Sequence, residues 1–229
     1  MSSTTRLVKT ICQLTYDARD YASLNSSINT LSKKHGQLKG AVQAIVELSI
    51  EWLDEIKKRD GIEKWLELVE TLRAVTEGKV RWRVLLLYCN ESDCLHAQIF
   101  LETPRARVTL LLSKYHEQLA DSPNAKTPKE SLQTASDLLS DLQVETYSSM
   151  ERKEKTEFIL EQMRLLIAVA KMKDESAAKD GKDSLADGDP EWTKVRAGSR
   201  KINEDFLKVP ENKVCSLPRC ETAESLNGV

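Results

Sequence analysis

Apolar residues recur at helical spacing in almost every segment of this chain, and strand-like alternation is nearly absent, so the residues commit the backbone to helices before any other consideration applies. Leu7, Val8, Ile11 and Leu14 predict a first helix near Thr5 to Ala18. Leu24, Ile28 and Leu31 predict a second near Tyr21 to Lys34, broken by Gly36. From Gln37 to Lys57, the positions Leu38, Val42, Ile45, Val46, Trp52, Leu53 and Ile56 share one face, and Gly61 marks the turn that follows. Ile62, Trp65, Leu66, Val69 and Leu72 continue on a fourth helix, which stops at Glu77-Gly78.

Start and stop signals extend this punctuation. Thr103-Pro104 reads as an N-cap followed by proline at the first helical position, opening a helix to about Asp121. Thr127-Pro128-Lys129-Glu130 repeats the device with a capping box, and its helix ends near Gln143 with Leu132, Ala135, Leu139 and Leu142 on one face. The run Val144 to Ser148 interrupts the pattern. Ser148 with Glu151 reads as a second capping box for a long helix from Ser149 to about Lys173. Asp174 to Asp189 is polar and reads as a solvated loop, and Asp189-Pro190-Glu191 starts a last helix, roughly Trp192 to Lys208. Helices joined by short turns are antiparallel neighbours, so the expected fold is all-α, either a closed bundle or a solenoid of helical hairpins. No single hairpin buries enough apolar surface to offset its own ordering entropy, which makes stacking obligatory.

Composition limits the functions open to such a fold. Of 229 residues 40% are hydrophobic, enough for a packed interior and an argument against disorder throughout. The 34 Lys+Arg nearly balance 36 Asp+Glu, and a net charge of -2 gives no field to steer nucleic acid or anionic lipid. No apolar run approaches the roughly 18 residues a membrane span needs; the longest patches are Leu165 to Ala170 and Val84 to Tyr88. The N-terminus lacks a signal-peptide core, and the odd, scattered set Cys12, Cys89, Cys94, Cys215 and Cys220 does not make a compact disulfide framework. Cytosol or nucleus is the expected compartment.

The sequence offers little chemistry. Cys89-x4-Cys94-x-His96 is the only cluster resembling a metal site; zinc prefers four ligands at tighter, paired spacing, and Cys215-x4-Cys220 would have to complete the set, so ordinary thiols are the better reading. His35, beside Lys33 and Lys34, and His116, beside Glu117, read as solvated or capping histidines. No nucleophile elbow, zinc-protease helix, phosphate-binding glycine loop or dinucleotide fingerprint occurs. Lys194, Arg196, Arg200 and Lys201 give the last helix a basic side, diluted by Glu191, Glu204 and Asp205, without the interleaved aromatics of a nucleic-acid surface. Trp52 and Trp65 lie on apolar stripes and read as core anchors. Catalytic, cofactor and metal residues are therefore expected to be none.

The segment LQVETYSSMERKEKTEFILEQMRL, Leu142 to Leu165, resembles the PCI-family scaffold subunits of the proteasome regulatory-particle lid. LSKKHGQLK (Leu31 to Lys39), ETLRAVTEGK (Glu70 to Lys79) and Arg105-Ala106-Arg107-Val108-Thr109 resemble the same family in the same order. The resemblance implies a TPR-like solenoid of right-handed helical hairpins and a non-catalytic role in assembly and ubiquitin-dependent protein degradation. Its implied partners are other lid and base subunits, with the core particle as a further candidate, and no nucleic acid, membrane, small-molecule substrate or cofactor. A signalosome-type PCI subunit and a freestanding helical-repeat adaptor remain the alternatives.

Two stretches depart from the family pattern. Val80 to Gln98 separates EGK from an IFLE-like segment that directly follows it in the family; it begins with Val, whose codons start with GT, and ends with Gln, one of whose codons is CAG, as a translated intron would. Val214 to Val229 departs again, and the resemblance implies that the rest of the solenoid, the PCI winged-helix module and part of the N-terminal region are missing. The expected organisation is a solenoid arm at 1–172 with a poorly packed non-family insertion at 80–98, a polar loop at 173–188, a further solenoid helix at 189–208 and a disordered non-family tail at 209–229.

Overall fold

The computed structural model describes residues 3–33, 39–77, 91–122, 127–179 and 190–209, which form nine α-helices and one 3-10 turn and contain no strand. The all-α expectation holds. The chain divides into two compact units, Met1–Met150 and Glu151–Val229.

In the first unit, α1 (Ser3–Asp17) and α2 (Tyr21–Lys33) are joined by a tight turn. Arg19 occupies the left-handed region there, at φ 56°, while its amide donates to the Tyr16 carbonyl and that of Asp20 to the Thr15 carbonyl. These are the two bonds of a Schellman motif, with arginine where glycine is usual. Asp20 then caps α2, its Oδ1 accepting from the Ser23 amide at 3.0 Å. The next pair, α3 (Lys39–Arg59) and α4 (Ile62–Glu77), turns at Gly61, whose φ of 98° a side chain would strain. The last pair is α5 (Glu91–Asp121) and α6 (Pro128–Ser140).

Stacking follows a solenoid rule, each helix packing on its successor or on the element after it. The pairs α1–α2, α1–α3, α2–α4, α3–α4, α3–α5, α4–α5 and α5–α6 all pack. One continuous core results, running from Val8 and Cys12 through Leu24, Leu53 and Leu72 to Val108 and Leu112. Small residues let α5 and α6 approach closely: Ala106, Thr109, Ala135 and Ser136 are buried, and Ser113 Oγ donates to the Ala135 carbonyl at 2.8 Å.

The structure corrects the first stripe. Val8, Cys12 and Tyr16 form the buried face of α1, while Leu7 and Leu14 are 62% and 63% exposed. Aliphatic count pointed to one face of α1, yet the neighbours α2 and α3 cover the other. Ile62, at the first position of α4, is likewise exposed.

Three helix-start expectations also change. Pro104 lies inside α5 and does not begin it. Proline leaves the carbonyl four residues earlier without its amide. Here the ring is buried and the preceding turn is tied down, Glu102 Oε2 accepting from the Ser148 amide at 3.2 Å and Thr103 Oγ1 lying 2.9 Å from Ser149 Oγ. That bond occupies the Ser148 amide, and the helix it was expected to cap begins later, so the Ser148–Glu151 capping box does not form. Thr127 is the N-cap of α6 with Pro128 after it, as expected, but its side chain makes no capping bond and α6 ends at Ser140. The interruption after Leu142 is a 3-10 turn, Val144–Thr146.

In the second unit, α7 (Arg152–Lys179) packs on α8 (Pro190–Ser199) through Ile159, Met163 and Leu166, with Val195 and Ile202 against them. The helix α7 starts with the Lys155 amide donating to the Glu151 carbonyl and runs through Lys179, into the stretch expected to be loop. Lys173 pairs with Glu191, and Trp192 Nε1 donates to Asp174 Oδ2 at 2.9 Å. The expected single helix to Lys208 is instead two: α8 stops at Ser199, and α9 (Glu204–Lys208) restarts behind Asn203, whose side chain accepts from the Phe206 amide at 3.1 Å. Gly198-Ser199 is a poor helix interior and Asn203 a strong cap, so a break there follows from local chemistry.

Candidate functional site

Most of the residues singled out by chemistry fall outside the described part of the chain. Cys89, Cys215, Cys220 and His35 lie outside the described residues, and the side chains of Cys94 and His96 do too, although α5 runs through both positions. Among the described residues no group of three or more His, Cys, Asp or Glu could hold a metal ion. His116 is half-buried on α5; burial lowers its pKa, and Glu70 opposes that shift. Cys12 is fully buried, and burial pushes its thiol up to about 11, which leaves it protonated and unreactive.

The basic side of the last helix is only partly a helix face. Lys194 and Arg196 are exposed on α8, but Arg200 and Lys201 lie in the turn beyond its end. Trp52 and Trp65 are buried, as their stripes predicted.

Two polar clusters escaped the sequence reading, because each assembles residues far apart in the chain. At one end of the first unit, Arg59 reaches three groups at once. Its Nε donates to Asp60 Oδ2 at 2.8 Å, its Nη1 to Glu55 Oε1 at 2.7 Å and its Nη2 to the Tyr21 hydroxyl at 3.3 Å. Tyr21 in turn donates to Asp60 Oδ2 at 2.6 Å, so α2 is tied to the α3–α4 turn. The Arg59 guanidinium lies 5.3 Å from the Tyr16 ring centroid, and Lys64 Nζ lies 5.2 Å from that of Tyr21. The Tyr21 hydroxyl and then the Arg59 guanidinium hold the Asp60 carboxyl below the usual carboxylate range.

In the second cluster, Lys57 Nζ sits 5.2 Å from the Trp65 ring centroid and 5.8 Å from that of Tyr115, and donates to Gln118 Oε1 at 3.1 Å. The three helices α3, α4 and α5 are thus joined at one edge. Both clusters satisfy charges against neighbours within the stack. They tie helices of the stack together, Tyr21 of α2 to the α3–α4 turn and Lys57 of α3 to Trp65 of α4 and Tyr115 of α5.

No helix among the described residues is long and apolar enough to cross a membrane. Comparison with known proteins locates the stack. The family described as PSMD12/CSN4, N-terminal, matches residues 1–82 and 95–217. The chain is 35% identical over 163 residues to 26S proteasome non-ATPase regulatory subunit 12 of Dictyostelium discoideum, covering 71% of this chain and 29% of that protein. It is 34% identical over 167 residues to 26S proteasome non-ATPase regulatory subunit 12 homolog A of Arabidopsis thaliana, covering 73% of this chain and 30% of that protein. It is 35% identical over 167 residues to 26S proteasome regulatory subunit RPN5 of Saccharomyces cerevisiae, covering 73% and 31%. The matched region spans about 30% of the length of these curated relatives. With the greater part of its length matched in two blocks and an all-helical stack to match, the chain belongs to the PSMD12/CSN4 family, through that family's N-terminal region.

Proposed function

We propose that this chain is a non-catalytic scaffold of the proteasome regulatory particle, contributing a helical arm to assembly and thereby to ubiquitin-dependent protein degradation. The observation that carries this reading is the family match over residues 1–82 and 95–217, which takes in the stacked helical hairpins of the first unit. The relatives are named as regulatory and, in two of the three cases, as non-ATPase subunits, which supports a structural role over a catalytic one. The partners in this reading are other lid and base subunits, met in cytoplasm and nucleus.

The family description also spans CSN4, so a signalosome-type assembly is the second reading. Affinity purification of the tagged full chain from cells, followed by mass spectrometry, separates the two. Recovery of proteasome lid and base subunits is the expected result. Recovery of signalosome subunits, or of no stable complex, overturns the proposal.

Within this reading, residues 80–98 are an insertion foreign to the arm. The family match pauses between residues 82 and 95, inside that stretch, which supports the assignment.

A further inference from the structure

We draw no further inference here: the strongest candidate, the exposed apolar face of α1 formed by Leu7 and Leu14 with Ile11 at its edge, carries nothing because the structure does not show what covers it.

Discussion

The rings of Tyr16 and Trp52 stack face to face, with centroids 4.3 Å apart and planes 6° from parallel. One ring comes from the last turn of α1 and the other from α3, so this contact sets how the first hairpin sits on the second. Both residues are buried. Trp52→Ala should destabilise the chain by about 3–5 kcal/mol, the range for emptying an aromatic site in a packed core. Urea denaturation followed by circular dichroism measures this, and a loss below about 1 kcal/mol would mean that the stacked pair does not anchor the hairpins.

Helix type was legible from periodicity, though not the split of the last helix into two, because α3, α4 and α6 each carry a clear stripe that is buried: Val46, Leu53 and Ile56, then Trp65, Val69 and Leu72, then Ala135 and Leu139. The facing of α1 was not legible. Both of its sides are apolar, and only the positions of α2 and α3 decide between them. Caps were misread for a related reason. Ser148 and Thr103 have the right residue types for local capping, but the Ser148 amide donates to Glu102 and the Thr103 hydroxyl pairs with that of Ser149 instead. The long-range links of the Arg59 and Lys57 clusters, to Tyr21 and Gln118, left no trace in the sequence, since those partners are 38 and 61 positions away. Family membership, by contrast, rested on words of sequence rather than geometry, and survived every misplaced cap.

The facing of α1 has a direct consequence for mutation. Leu7→Gln and Leu14→Gln should each change stability by no more than about 0.5 kcal/mol, as for exposed sites generally. Val8→Ala, one residue along and almost fully buried, should cost about 2 kcal/mol through two lost methyl-sized groups and the space they leave. Thermal melts of the three variants compare them directly; a large loss from either leucine variant would show that this face is covered in solution.

Tyr21→Phe removes the hydroxyl that donates to Asp60 and accepts from Arg59. The pH dependence has a definite sign. Asp60 has a depressed folded-state pKa, so its contribution to stability is fully present above the unfolded value of about 3.9 and is lost as pH falls through the folded value. Wild type should therefore exceed Tyr21→Phe in stability at neutral pH, and the gap should narrow progressively below about pH 4. Denaturation midpoints of both proteins from pH 7 to pH 2.5 provide the check, and a gap that widens on acidification would refute the coupling.

Cys12 should resist alkylation in the folded chain. Its sulfur is buried and its pKa is pushed up to about 11, so at pH 8 few molecules carry the thiolate that attacks the reagent. Peptide mapping by mass spectrometry after brief iodoacetamide treatment should find the Cys12 peptide unmodified natively and fully modified in urea. Comparable modification in both conditions would place this thiol outside the core.

Excising residues 80–98, so that Lys79 joins Ile99, should raise soluble yield. The stretch carries the run Val84-Leu85-Leu86-Leu87-Tyr88, wholly aliphatic and aromatic and free of charge, a composition that promotes aggregation when it lacks a native partner surface. Parallel expression of the full and excised chains, with soluble fractions quantified after centrifugation, tests this. An equal or lower yield for the excised chain would argue that the segment belongs to the fold.

Gly198 of α8 lies close against Met163 of α7, where a β-carbon built on Gly198 would lie 2.2 Å from Met163 Cε and 2.4 Å from Sδ. Alanine is the better helix former by up to about 1 kcal/mol, yet the clash forces the methionine to move, at about 1–3 kcal/mol for overpacking. Gly198→Ala should therefore destabilise the native chain. In a Met163→Ala background the obstruction is gone and the same substitution should become neutral or stabilising, because only the helix-propensity gain remains. A double-mutant cycle read by urea denaturation isolates this reversal of sign. Identical effects of Gly198→Ala in both backgrounds would mean that α8 does not press on Met163, and that the contact does not set the spacing of α7 and α8.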